Sequence, residues 1–418
     1  MNQKLFDFSE IPVVDTHVHG PLLGEEPRSS YEYDFGWYDV FVSGLMPKNY
    51  KDSKLEDSIR EAVISDMESR PRMTSIRHYI SESMRFETTD PTIIQRKIWN
   101  KIKTIGLKQY ANTVFERERI KWVLVDHSSL GTSSSEEIMA DYPDGKKRWT
   151  YPVVRMIQPD WAREKKLESA DDIARAICSQ LDDAKTNGCS GFKSTQAYFR
   201  DYDLEDVSSN VANDSYRKLA VAKPEYYEEW NARIPVYRDP ETSRALKLYQ
   251  DFCLKTIFQH VGEIGLTMVI HVAVAVAPQL KPWLNDPSRL YSVFDNADIR
   301  RAGTKFLLIH TGFPDYHKIT SLITQYPNVF VDLSFFTQAS LLTHQILSEF
   351  VSISSAKKIM HGSDGFQPDP IGYAAHNTRS ALSRIASWLY EVEHWSESEC
   401  LDLAEQILHK NAERLFGV

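Results

Sequence analysis

Two histidines one residue apart, His17 and His19, stand at the end of a short apolar run, Val13-Val14-Asp15-Thr16-His17-Val18-His19-Gly20. On a β-strand, residues i and i+2 project from the same face. The two imidazoles therefore point the same way, as two ligands of one metal ion must. A strand that merely carries two surface histidines would look the same in isolation. The rest of the chain argues for ligands. Strand-like runs recur at 120–126, 151–157, 189–194, 266–271, 305–310, 328–334 and 357–364, and several end in a polar side chain. Lys193 closes the fourth run, His271 the fifth, His310 the sixth and Asp364 the eighth. Imidazole nitrogens and a carboxylate suit Zn2+, with Mn2+, Fe2+ or cobalt as alternatives.

Eight strand-like runs with helical patterns between them predict a (β/α)8 TIM barrel, whose functional side chains sit at the C-terminal ends of its strands. The near-continuous apolar character of several runs suits parallel strands buried on both faces. Residues 1–418 read as one barrel, with a long helical insertion, 21–119, after the first strand. Within it the periodicity predicts amphipathic helices at 55–68 and 91–110, the second opened by Asp90 as N-cap and Pro91 as first residue. Further helices are expected at 170–187 and 240–264, with a polar, tyrosine-rich excursion at 199–240 between them.

A net charge of −9 and a pI near 5.8 argue against nucleic acid or an anionic membrane as main partner. Cys178, Cys189, Cys253 and Cys400 are scattered, without CxxC spacing, so reduced thiols are expected rather than a disulfide framework or a cysteine zinc site. The N-terminus has no apolar signal-peptide core, and the most apolar run, 266–278, is too short to span a bilayer and contains His271. These features lead us to expect a cytoplasmic protein acting on a small molecule. The insertion could serve as a lid or as the interface of a homo-oligomer.

In order along the chain, DTHVH at 15–19, GFKS at 191–194, IHVA at 270–273, LLIHTGFP at 307–314, NVFVDLS at 328–334, HGSDGF at 361–366 and ILHKNAERLF at 407–416 resemble the amidohydrolase superfamily, in its amidohydrolase-related branch. The resemblance implies a metal-dependent hydrolase of an amide or related C–N bond. It places His17, His19, His271 and Asp364 around one ion. It also implies that a carboxylated Lys193 and His310 would hold a second ion in two-metal members. In one-metal members His310 would instead meet the substrate or the attacking water. Asp364 would be the general base, and Lys193 as a plain ammonium would hold a substrate carboxylate.

Arg155, near the third run, could pair a substrate carboxylate or an internal acid. Tyr198 and Arg200, in GFKSTQAYFR, resemble the branch fused to glutamine-synthetase-like domains and suggest an acidic amide substrate. Asp126 and His127 are expected to hydrogen-bond in a loop, and His361 stands where relatives often carry an apolar residue. A metal-dependent non-oxidative decarboxylase and a uronate isomerase, both from the same superfamily, are the alternative readings.

Overall fold

A computed structural model describes residues 5–19, 53–126, 142–229, 232–274 and 280–417. The strands β1 (Val13–His19), β2 (Ile120–Asp126), β3 (Lys147–Pro152), β4 (Gly191–Ser194), β5 (Thr267–His271), β6 (Lys305–Ile309), β7 (Val329–Asp332) and β8 (Ile359–Met360) follow one another in a single parallel sheet. Val18 bridges Gly365 in parallel, and Asp364 N donates to His17 O at 2.8 Å. His19 N donates to Gly365 O at 2.9 Å. The sheet thereby rolls up into the expected (β/α)8 barrel, its first strand against its last.

Strand alternation sorts the apolar side chains into two layers. Val14, Trp122, Leu124, Val269, Leu307, Ile309 and Met360 form an interior cluster with Ala412 and Leu415 of the terminal helix, which closes the barrel floor. Val13, Val123, Val125, Met268, Ile270, Phe306, Leu308, Val329, Val331 and Ile359 belong to the larger cluster shared with the surrounding helices. Asp126 and His271 are in phase with the interior residues of β2 and β5, so alternation alone carries them inward. In β1 the phase slips. Val14 lies inside and Val18 outside, and the pairing with β2 shifts register between Asp15 and Val18. This irregularity brings His17 and His19 to the inner face together.

Between β1 and β2 lie α1 (Ser53–Ser69), α2 (Pro71–Ser83), α3 (Pro91–Ile105) and α4 (Leu107–Arg117). Asp90 caps α3 by accepting from Ile93 N at 2.9 Å. The single helix expected at 91–110 is two, because Gly106 adopts φ 82°, ψ 152° and breaks the path. The first part of the expected insertion, 21–52, lies outside the described residues. Next come α5 (Ala170–Thr186), α6 (Ser209–Val221), α7 (Pro240–Glu263) and α8 (Pro368–Glu391). The expected excursion at 199–240 contains α6 and an antiparallel hairpin, Glu225–Glu229 with Ala232–Val236. Tyr110 of α4 donates to Asp369 of α8 at 2.8 Å, tying the helices after β1 to the segment that follows β8.

The third strand is displaced from its expected place. It forms at Lys147–Pro152, paired with β2, and the apolar 153–157 run turns instead, burying Val153, Met156 and Ile157 beneath helices.

Candidate metal centre

At the C-terminal mouth of the barrel, Asp364 Oδ1 lies 2.9 Å from His19 Nε2 and 3.1 Å from His17 Nε2. All three residues are buried, and their ligand atoms lie within 4.8 Å of one another. His17 Nε2 is buried and, although Asp364 Oδ1 lies 3.1 Å away, makes no well-aligned hydrogen bond, which leaves its lone pair open to an ion. Burial and the nearby Lys193 ammonium push the His17 imidazole down to about 4. Burial, with Lys193 second, pushes His271 down to about 3. Both rings are therefore neutral, the form that ligates a metal. Burial alone would raise the Asp364 carboxyl, but His310, His17 and His19 outweigh it and hold the group ionised. Two neutral imidazoles and a carboxylate are a donor set that fits a divalent ion such as zinc.

The other strand-end residues gather around this triad. The His310 ring lies 5.0 Å from that of His17 and 4.6 Å from that of His271, and its Nδ1 is 3.7 Å from Asp364 Oδ2. His271 Nε2 faces Ala273 O at 2.9 Å, so its proton sits there and Nδ1 carries the lone pair. Lys193 forms a wholly buried ion pair with Asp126, whose Oδ2 is 4.0 Å from His17 Nε2. Burial alone would raise the Asp126 carboxyl, but the Lys193 charge drives it far below the usual range. The Tyr198 ring is 5.1 Å from that of His271, at the edge of the cluster.

Two expected substrate contacts lie elsewhere. Arg155 sits in the turn after β3, its side chain 70% exposed and paired with Glu164 at 2.5 Å. Arg200 is buried. It donates to Asp251 at 2.6 Å and to the carbonyls of Asp203 and Asp201 at 2.7 and 3.1 Å. Its charge is used inside the fold. His127 falls outside the described residues.

A supporting layer that the sequence reading missed lies around the ligands. Asp15 Oδ1 accepts from Ser363 N at 2.9 Å and from His17 N at 3.2 Å. Thr16 donates to Asp332 at 2.9 Å, and Phe366 stacks on His19 with centroids 4.3 Å apart. Burial raises Asp15 to about 7 and Asp332 to about 6. Asp126 and Asp332 each stand where an apolar strand stops, at the ends of β2 and β7. The criterion that picked out the histidines would have found both.

His361, outside the ligand cluster, gives a pH prediction. Its Nδ1 is 3.0 Å from Thr378 Oγ1, and burial, helped by Arg379, pushes it down to about 3. Because the folded value lies below the ordinary one of about 6.5, its contribution to stability is complete above that pH. It is lost as pH falls from 6.5 towards 3. A His361→Gln variant should show an acid loss of stability shallower by up to about 1.4 kcal/mol per pH unit, read by urea unfolding at a series of pH values.

Parallel strands whose C-terminal ends converge on imidazoles and a carboxylate define a (β/α)8 barrel with a candidate metal site at its mouth. Residues 233–418 match the profile of the amidohydrolase family. No curated protein matches the chain. Among solved structures, a Lactobacillus casei protein provisionally described as a metal-dependent hydrolase superposes with a TM-score of 0.71 at 17% identity, covering 99% of this chain and 98% of that one. A uronate isomerase from Thermotoga maritima gives 0.69 at 14% identity over 98% and 95% of the two chains. A glucuronate isomerase from Caulobacter crescentus gives 0.64 at 11% identity over 98% and 92%. The family profile covers the C-terminal part of the chain, and the solved structures share its barrel fold. No described helix is long and apolar enough to cross a membrane.

Proposed function

We propose that the protein hydrolyses an amide or related C–N bond of a small carboxylated molecule, using one divalent ion, zinc by preference, held by His17, His19 and Asp364. The observation that carries this reading is the Asp364 carboxylate, 2.9 and 3.1 Å from two strand-end imidazole nitrogens in a buried barrel mouth. A divalent ion there would lower the pKa of a water towards ~7 and polarise the scissile carbonyl. Asp364 takes the proton of the attacking water and passes it to the leaving nitrogen. His310, neutral and 3.7 Å from Asp364, orients the substrate carbonyl or that water. Tyr198, beside His271, contributes to the substrate wall.

Lys193 is read as an ammonium. Carboxylated, it would set a second anion against Asp126, and the repulsion would oppose a bridging role. One ion per chain follows. We place the enzyme in the cytoplasm, because its four cysteines are unpaired, and we read α1–α4 as an insertion within a single barrel.

A sugar-acid isomerase is the second reading, supported by superposition of the two isomerases along nearly the whole chain. Elemental analysis followed by three assays separates the reactions. The hydrolase reading expects one ion per chain and amine or ammonia release from carboxylated amides. Carbon dioxide from aromatic carboxylates would make the enzyme a decarboxylase. Interconversion of an aldose and a ketose uronate would make it an isomerase. Protein that binds no zinc or manganese would overturn the metal centre altogether.

A further inference from the structure

Asp332 ends β7 and Ser334 follows two residues later, both fully buried. Asp332 Oδ1 accepts from the Ser334 hydroxyl at 2.6 Å, from Ser334 N at 3.0 Å and from His310 N at 3.1 Å. A serine hydroxyl has one proton to donate, and here it goes to Asp332. Towards His310 Nδ1, 3.0 Å away, the hydroxyl oxygen can therefore only accept. His310 Nδ1 must then carry the ring proton.

The same carboxylate shapes the backbone. Leu307 and Ile309 point into the barrel, so regular alternation would send the next residue, His310, outward. It is turned back by two successive left-handed residues, His310 at φ 68° and Thr311 at φ 58°. Non-glycine residues hold such angles only where their surroundings over-determine them. The His310 N–H bond to Asp332 supplies that hold. Gly362 lets the last strand lie against this carboxylate, since a Cβ there would come within 2.7 Å of Asp332 Oδ2.

We propose that Asp332 and Ser334 are positioning residues that hold the His310 turn and lock its ring proton on Nδ1, leaving Nε2 as the nitrogen that can accept a proton. The inference rests on the reading of His310 as a site residue, and it is independent of which reaction the site performs. It also assigns a role to the DLS segment, which the proposed chemistry leaves unused.

The test is a long-range nitrogen–proton correlation spectrum of the zinc-loaded enzyme carrying isotopically labelled histidine. Signals of His310 are those absent from a His310→Gln variant. The wild type is expected to show its proton on Nδ1. In Ser334→Ala the pattern is expected to shift to a mixture or to Nε2–H, with metal content unchanged. Ser334→Cys provides the second reading should Ser334→Ala not fold, and Asp332→Asn, which preserves shape, serves as the control. Its amide keeps its oxygen towards the His310 and Ser334 N–H groups and still accepts from the hydroxyl, so Asp332→Asn is expected to retain Nδ1–H. Ser334→Cys, whose thiol is a weak acceptor of nearly the same size, is expected to shift the pattern as Ser334→Ala does. A wild-type His310 protonated on Nε2, or an Nδ1–H pattern unchanged in the Ser334 variants, overturns the proposal. Failure to hydrolyse any amide would defeat the functional reading and leave these spectra untouched.

Discussion

Replacement of Asp364 by alanine is expected to strip the protein of its ion and of its activity together. The carboxylate contacts both His17 and His19, at 3.1 and 2.9 Å, and without it two neutral imidazoles remain to hold a cation in a buried site. Loss of the general base alone would lower turnover by about 10²–10⁴-fold. Loss of the ion removes the activated water as well, so the combined effect should reach the background rate. Elemental analysis should find metal near zero, and the melting temperature should no longer rise when zinc is added. A variant that kept wild-type metal content and turnover would refute the assignment of Asp364 both as ligand and as base.

The second large effect is expected at Lys193. Its side chain is 1% exposed and that of its partner Asp126 2%. Lys193→Met takes the ammonium from the buried Asp126 carboxylate, and removing one partner of a buried pair typically costs about 3–5 kcal/mol. Replacing both at once, Lys193→Met with Asp126→Leu, should recover most of that loss, because two apolar side chains need no compensation. Urea unfolding of the two variants measures the difference. Metal content discriminates further. An ammonium Lys193 predicts one ion per chain in wild type and variant alike. A carboxylated, bridging lysine predicts two ions falling to one.

Much of this centre could be read from residue order. An apolar run that stops at a histidine or acid is a strand end, and in a parallel barrel strand ends share one mouth. That logic reached His17, His19, Lys193, His271, His310 and Asp364, and the structure brings all six together. It stopped short at Asp126 and Asp332, where the same pattern was present but the side chain was read as a loop group or passed over. Other features have no local signature. The register slip in β1 depends on how β2 pairs with it. The inward turn of His310 depends on a carboxylate 22 residues further on.

Charge was the least reliable guide. Arg200 looks available for a substrate until Asp251 appears 51 residues later. Arg155 lies in a run apolar enough to read as strand, yet the pairing with β2 selected Lys147–Pro152 and left it in an exposed turn. Gly106 was visible as a potential break inside 91–110. Helical periodicity on both sides of it suggested one continuous helix.

The closure of β1 against the segment after β8 bears on how the site forms. His19 and Asp364 are 345 residues apart, so the donor set is divided between the first and last strands of the barrel. No partly folded barrel that lacks its last strand can assemble it. Binding of a metal at these residues would therefore reward the closed barrel instead of guiding the path towards it.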